Sequence, residues 1–275
     1  MLSPQVSSAP SPRTEFGHLR RAVRNWYSAG VLAAVVMPTR VPPRGGLRET
    51  WLGRHVETFR MSDGFRIRCR LQDAGDLISV YVDGDYERMR VGWANLRSII
   101  DVGSTVGSFT LWAARRSPRA EIVAVEPNPE LYPYLLDNIR LNHLSGRVVC
   151  VAAALGATSG VASIEKDGMY STATRFMPHW GGSGPTVKQL SLEGLLDETN
   201  TLHLDLLKID CEGAEYDTIL GASGPVLRRI RTIICEYHPV EQHDFAELVA
   251  HLTSSGFHVD SDRTEVGFLV GNSDI

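Results

Sequence analysis

From residue 98 onward, short apolar runs alternate with amphipathic segments. "RSIIDV" precedes "GSFTLWAARR", "AEIVAVE" precedes "PELYPYLLDNIRLN", and "GRVVCVAAAL" follows. "LDLLKID" then leads to "AEYDTILGA", and "IRTIICEY" to "VEQHDFAELVAHLTSSG". Strands buried on both faces read as unbroken apolar runs, and the helices between them cover those faces. This order therefore predicts an α/β fold around a mostly parallel sheet. "FHVDS" and "VGFLVG" are expected to close it as an antiparallel hairpin.

Ahead of this series, "HVETFRM", "SDG" and "FRIRCRL" predict a β-hairpin turning at Asp63-Gly64. "EFGHLRRAVRNWYSAGVLAAVVM" reads as a helix, "TRVPPRGG" as a linker, and residues 84–97 as a further helix. The expected organisation is a disordered tail over 1–14, a helical and hairpin extension over 15–97, and the main domain over 98–275.

In sheets of this kind, ligands bind beyond the carboxyl ends of the strands. Asp101 ends the first strand of the series, which places "DVGSTVG" at that rim. Gly103 permits a tight turn and close approach to a ligand, Gly107 lets the next helix start near the sheet, and open N–H groups at that helix start favour an anion. Glu126 ends the following strand, 23 residues after Gly103, where a carboxylate accepts the hydroxyls of a ribose. Together these predict an adenosine ligand. A dinucleotide needs G-x-G-x-x-G, whereas Ser104, Thr105 and Val106 separate the two glycines here. Asp101 would repel a pyrophosphate and attract the ammonium of an amino-acid portion. S-adenosylmethionine is thus favoured over a nicotinamide cofactor.

"DVGSTVGSFTL", "VEPNPELYPYLLDNIRLN", "VKQLSLEGLL", "LLKIDCEGAEYDTILGA" and "IICEYHP" together resemble the FkbM-type S-adenosylmethionine-dependent methyltransferases over roughly residues 80–260. The resemblance implies a Rossmann-like class I methyltransferase fold, with a seven-stranded sheet whose last strand is antiparallel. It also implies O-methylation of a sugar or natural-product hydroxyl. Asp101, Gly103, Ser104, Thr105 and Gly107 fall on the family's first cofactor motif, and Glu126, followed by Pro127, on its ribose-binding acid. The family commonly carries Ala-Asn where this chain has Ser104-Thr105. "GDYER" resembles the segment before the first strand, which makes Tyr86 and Glu87 candidate walls of the cofactor pocket.

Methyl transfer to an alcohol needs positioning and a base for the hydroxyl proton. Lys208 and Asp210 share a strand face, with Glu212 just beyond at its carboxyl end. The next strand brings Glu236 and His238 to the same rim, and histidine titrates in the range a base requires. Asp210 is expected as a catalytic-site acid and His238 as the base. Asp210, Glu212, Glu236 and His238 are alternatively ligands for magnesium. The glycine- and aromatic-rich segment 166–186, with Tyr170 and Trp180, is expected to be a flap over a small-molecule acceptor.

The four cysteines lack metal-type spacing and read as buried free thiols of a reducing compartment. The apolar run Ala29–Met37 is far shorter than the roughly 20 residues of a membrane span. A cytoplasmic location is expected. Residues 1–70 hold twelve arginines, no lysines and four acids, within a chain of net charge −4. "FRIRCRL" places its arginines as on one solvated strand face, yet a basic front also supports a competing reading as an RNA methyltransferase. A non-catalytic S-adenosylmethionine-binding partner protein is the third reading. The apolar helix of residues 19–37 either covers its own domain or meets a second subunit in a homo-oligomer.

Overall fold

The computed structural model describes residues 21–24, 30–31, 53–166, 174–177, 185–261 and 267–273. A hairpin of β1 (Val56–Arg60) and β2 (Arg66–Arg70) comes first, in the register Arg60↔Arg66. Its turn is the expected one: Gly64 takes φ +100°, and Asp63 accepts the Phe65 N–H at 3.0 Å. Arg21 and Ala22 are helical, but Val23 bridges Met61, so the helix expected over 15–37 is interrupted there.

The helix expected over residues 84–97 is absent. α1 (Gly75–Ile78) continues as a π-helical turn through Asp83 and stops at Gly84, whose φ of +69° no helix tolerates. Only single 3₁₀ turns follow, at Asp85–Arg88 and Trp93–Asn95.

The main sheet takes β3 (Ser98–Val102), β4 (Glu121–Val125), β5 (Val148–Val151), β10 (Leu204–Ile209), β11 (Ile230–Tyr237), β12 (Phe257–Ser261) and β13 (Gly267–Ser273). Its order is β5-β4-β3-β10-β11-β13-β12, with β13 antiparallel to both neighbours and the other pairings parallel. This is the seven-stranded arrangement the sequence leads one to expect. α2 (Ser108–Arg116) and α3 (Tyr132–Leu141) lie on one side. α4 (Leu192–Glu198), α5 (Ala214–Leu220), α6 (Gly224–Leu227) and α7 (Phe245–Ser254) lie on the other.

Alternate strand residues feed the two cores. Ile99, Leu206 and Ile234 pack with Phe109 and Trp112 of α2 and with Phe59 and Ile67 of the hairpin, while Ile100, Leu207 and Ile233 pack with Leu195, Ile219 and Leu248. The hairpin edge is closed by α3 rather than by another strand. Asn138 exchanges two hydrogen bonds with the Arg68 backbone (2.8 and 2.9 Å), and Asn142 does the same with Arg66 (2.8 and 2.7 Å). Two amides at i and i+4 thus imitate a strand and satisfy edge groups that burial would otherwise strand.

A second sheet has no counterpart in the sequence reading. "GRVVCVAAAL" breaks after Val151, and β6 (Ala154–Leu155) joins β7 (Gly160–Lys166), β8 (Thr174–Met177) and β9 (Thr186–Leu190) in the order β6-β9-β7-β8. β7, "GVASIEK", carries only two branched residues, so its propensity signal is weak. Of the expected flap, the strand Thr174–Met177 is ordered into this sheet, whereas Tyr170 and Trp180 lie outside the described residues. The four cysteines are free, with Cys69, Cys211 and Cys235 buried. Among the described residues no helix is long and apolar enough to cross a membrane.

Candidate cofactor and acceptor site

The β3–α2 turn is built from residues that close on themselves. Gly103 and Ser104 both donate N–H bonds to the Val125 carbonyl at 3.0 Å, and Gly107 donates to Ser104 at 2.6 Å. The buried Ser104 hydroxyl donates to the Asp101 carbonyl. Thr105 takes φ +48°, unfavourable for a β-branched residue. Its N–H donates to Glu126 Oε2 at 2.8 Å and its hydroxyl to Asp76 Oδ2 at 2.5 Å. The amides of Gly103, Ser104, Thr105 and Gly107 are therefore committed within the protein, whereas α2 itself starts at Ser108 without a side-chain cap. Asn138 reaches this turn too, donating to the Val106 carbonyl at 2.8 Å.

Gly103, at φ +74°, makes the expected tight turn and serves a further contact as well. A Cβ on it would stand 1.7 Å from the Asp210 carbonyl oxygen, so the close approach is to the neighbouring crossing. At Gly107, φ +90° and a Cβ position 2.9 Å from Leu135 Cδ1 show why α2 can start beside α3.

Glu126 is buried, accepting N–H bonds from Thr105 and Asn128, each at 2.8 Å. Burial raises its carboxyl to about 7 against the pull of those amides. Pro127 is buried beside it.

Asp101 and Lys208 are register partners in adjacent strands, and both are buried. Asp101 Oδ2 accepts from Thr110 at 2.5 Å, and Oδ1 stands 3.2 Å from Lys208 Nζ. Lys208 Nζ also donates to the carbonyls of Val102 and Gly103 (3.3 and 3.2 Å) and lies 3.5 Å from Asp210. Burial disfavours its charge, but Asp101 leads the neighbours that hold its pKa well above the ordinary lysine value. Lys208 is a permanent internal cation clamping the turn, and Asp101 points at it rather than outward.

The β10–α5 turn holds Asp210, Glu212 (φ +56°) and Gly213 (φ +105°). Glu215, which the sequence reading missed, organises it: fully buried, it accepts N–H bonds from Cys211 (3.0 Å) and Gly213 (2.6 Å). His238 Nδ1 lies 2.9 Å from Glu215 Oε1, and Nε2 lies 3.7 Å from Glu212. Burial alone would lower the imidazole pKa, but the bond to Glu215 and the charges of Glu215, Glu212 and Asp210 raise it to about 9. Glu236 completes the rim. Burial, followed by repulsion from Asp210, lifts its carboxyl to about 8.

Asp210, Glu236 and His238 are thus brought together, and Glu212 stands at their edge. Glu87 is not: its exposed carboxylate pairs with Arg116 at the far end of α2. Tyr86 lies in an aromatic cluster with Phe109, Trp112 and Phe268, and Lys208 and Asp210 lead the charged groups around its hydroxyl. Asp76 was the other omission, since nothing in its local sequence distinguishes it from a helix-surface acid.

The sequence matches the methyltransferase FkbM domain over residues 101–259. It is 27% identical over 207 residues to methyltransferase sdnD of Sordaria araneosa, covering 62% of this chain and 79% of that protein. It is 27% identical over 172 residues to the hexuronic acid methyltransferase AglP of Haloferax volcanii, covering 62% and 68%. With the 31-O-demethyl-FK506 methyltransferase FkbM of Streptomyces tacrolimicus, identity is 25% over 244 residues, covering 76% and 91%. The domain match begins at Asp101 and takes in both crossings that meet at Gly103, so the chain belongs to the FkbM family of S-adenosylmethionine-dependent methyltransferases.

Proposed function

We propose that this enzyme methylates a hydroxyl of a small acceptor, a sugar or a secondary metabolite, in the cytoplasm. The observation that carries the reading is the convergence of Asp210, Glu236 and His238 beside the cofactor turn. Two relatives support the acceptor class, one named for a hexuronic acid and one for an O-demethyl compound. The donor set suits the cofactor: a carboxylate offers about four acceptor sites, so Glu126 retains capacity for ribose hydroxyls beyond its two amide bonds. When bound, S-adenosylmethionine supplies an electrophilic methyl group on a sulfonium.

The chain's own residues orient the acceptor and take its proton. His238, expected as the base, is held as an imidazolium at neutral pH and is poorly suited to accept a proton. Glu236 is better matched: a carboxyl raised to about 8 is a stronger base when ionised than an ordinary one, and it is partly ionised near neutrality. Asp210, held by Lys208, faces the same rim as an orienting acceptor.

Magnesium does not fit this set. Asp210, Glu215 and His238 offer ligand atoms within 4.8 Å of one another. Glu215, however, is engaged by two amides and His238, and Lys208 already supplies the cation beside Asp210. A small-molecule acceptor is favoured over RNA because Arg66 and Arg70 of the basic front are spent on the Leu141 carbonyl, Asp73 and Glu130.

The test is formation of S-adenosylhomocysteine across a panel of glycosylated and hydroxylated acceptors, with and without EDTA. Glu236→Gln should lower kcat by about 100-fold or more with S-adenosylhomocysteine affinity retained. A loss below about tenfold would remove Glu236 from the role, and dependence on magnesium or salt-sensitive RNA binding would redirect the reading.

A further inference from the structure

The cofactor turn is surrounded by more negative charge than the protein neutralises. Lys208 is the cation shared by three carboxylates: 3.2 Å from Asp101, 3.5 Å from Asp210, and the leading attraction on Asp76. Asp101 is fully buried: Oδ2 accepts from Thr110, and Oδ1 has no aligned hydrogen-bond donor among the described residues but lies 3.2 Å from the Lys208 ammonium, the charge it faces. Glu126 belongs to the end of the second strand and is engaged by two amides. Asp76 differs from both. It arrives on α1, from the segment ahead of the main sheet; the residue as a whole is half-buried, while burial of its carboxyl raises the pKa to about 6. Its Oδ2 accepts the Thr105 hydroxyl at 2.5 Å. Beside it lies the Ser108 hydroxyl, fully buried at the start of α2; it is close enough to Asp76 to favour the carboxylate, yet it is not aligned for a hydrogen bond and has no well-aligned partner among the described residues.

We propose that Asp76, and not Asp101, is the carboxylate that receives the α-ammonium of S-adenosylmethionine, with Ser108 beside it as a second polar contact for the amino-acid portion. A carboxylate placed between two hydroxyls keeps acceptor sites for an ammonium's N–H groups, and an incoming cation offsets the surplus negative charge around Lys208. Asp101 acts from behind, as the partner that keeps Lys208 charged and the turn clamped. The inference rests on S-adenosylmethionine being the cofactor.

Calorimetric titration of the full chain with S-adenosylhomocysteine and with 5′-deoxy-5′-methylthioadenosine tests it, because the second ligand keeps the adenosine and thioether but lacks the amino-acid portion. Asp76→Asn should weaken S-adenosylhomocysteine by about tenfold or more and leave methylthioadenosine within about twofold. Asp101→Asn should lower the melting temperature yet preserve the wild-type preference for S-adenosylhomocysteine. Equal weakening of both ligands by Asp76→Asn would overturn the proposal, since Asp76 would then act only through Thr105. So would unchanged S-adenosylhomocysteine affinity, or a preference lost in Asp101→Asn and kept in Asp76→Asn. If the wild-type protein bound neither ligand, the cofactor assignment itself would fall, and the inference with it.

Discussion

The β3–α2 and β10–α5 crossings lie against each other and use the same backbone device for different ends. Each places a non-glycine residue in the left-handed region, Thr105 at φ +48° and Glu212 at +56°, and each starts its helix after a left-handed glycine, Gly107 and Gly213. Each is also fixed by a buried carboxylate that accepts two backbone N–H bonds. The difference lies in where that acid comes from. Glu126 stands on the next strand and ties Thr105 to Asn128, joining two loops under the expected ribose. Glu215 stands in the helix its own turn begins, and it also holds His238. One crossing becomes a rigid cradle and the other a charged rim, which teaches that the source of the bracing acid decides what a shared turn geometry is used for.

The largest effect should come from forcing the crossings apart. Gly103→Ala drives a Cβ into the Asp210 carbonyl oxygen, and a loss above about 4 kcal/mol is expected in urea unfolding. Gly64→Ala, at φ +100° with its nearest side-chain neighbour 3.8 Å away, should cost only about 1–2 kcal/mol. Similar losses for the two variants would mean that the contact between the turns is looser than described.

Next is the cation between them. Lys208→Met leaves Asp101 buried and unpaired, with an expected loss of about 3–5 kcal/mol, and adding Asp101→Asn should recover part of it. Absence of recovery would show that Lys208 acts mainly through the Val102 and Gly103 carbonyls.

The third separates the crossings by pH. His238 is raised in the folded state from 6.5 to about 9, so its stabilising contribution is complete below about pH 6.5 and disappears as pH rises through 9. The melting temperature of the native protein relative to His238→Gln should fall over that window, by the equivalent of about 2 kcal/mol. Glu236 has a consequence of the same sign at lower pH: raised from 4.5 to about 8, its contribution is complete below 4.5 and is lost as pH rises through 8, where the buried group is forced to ionise. Glu236→Gln should therefore be more stable than the native protein at pH 8 while transferring methyl groups slowly. A pH-independent difference for either variant would remove that group from the charged rim.

The smallest effect is strain relief. Glu212→Gly should stabilise by up to about 1 kcal/mol, because the left-handed region costs glycine nothing. Thr105→Gly should show no such gain, since it also loses the hydroxyl bond to Asp76.

Much of this architecture was legible because it is local. The apolar runs marked all seven strands of the main sheet, Asp63-Gly64 marked the hairpin turn, and Asp101 and Glu126 fell at strand ends as expected. The helix read over 84–97 failed because it needs the left-handed Gly84 to be helical. The second sheet escaped because its short strands are stabilised by pairing across loops rather than by strong propensity.

By itself, then, the sequence determined the parallel sheet and the position of the site on it, since side-chain period and turn chemistry depend only on neighbours along the chain. Only the tertiary structure decided what each acid does. Asp101 faces Lys208 because register sets strands 107 residues apart in sequence side by side. Asp76 meets Thr105 because the preceding segment folds over the turn, and Glu215 is sealed beneath His238. Burial and register are properties of the assembled sheet, and they fix both the charge state of a carboxyl group and whether it faces inward or toward a ligand.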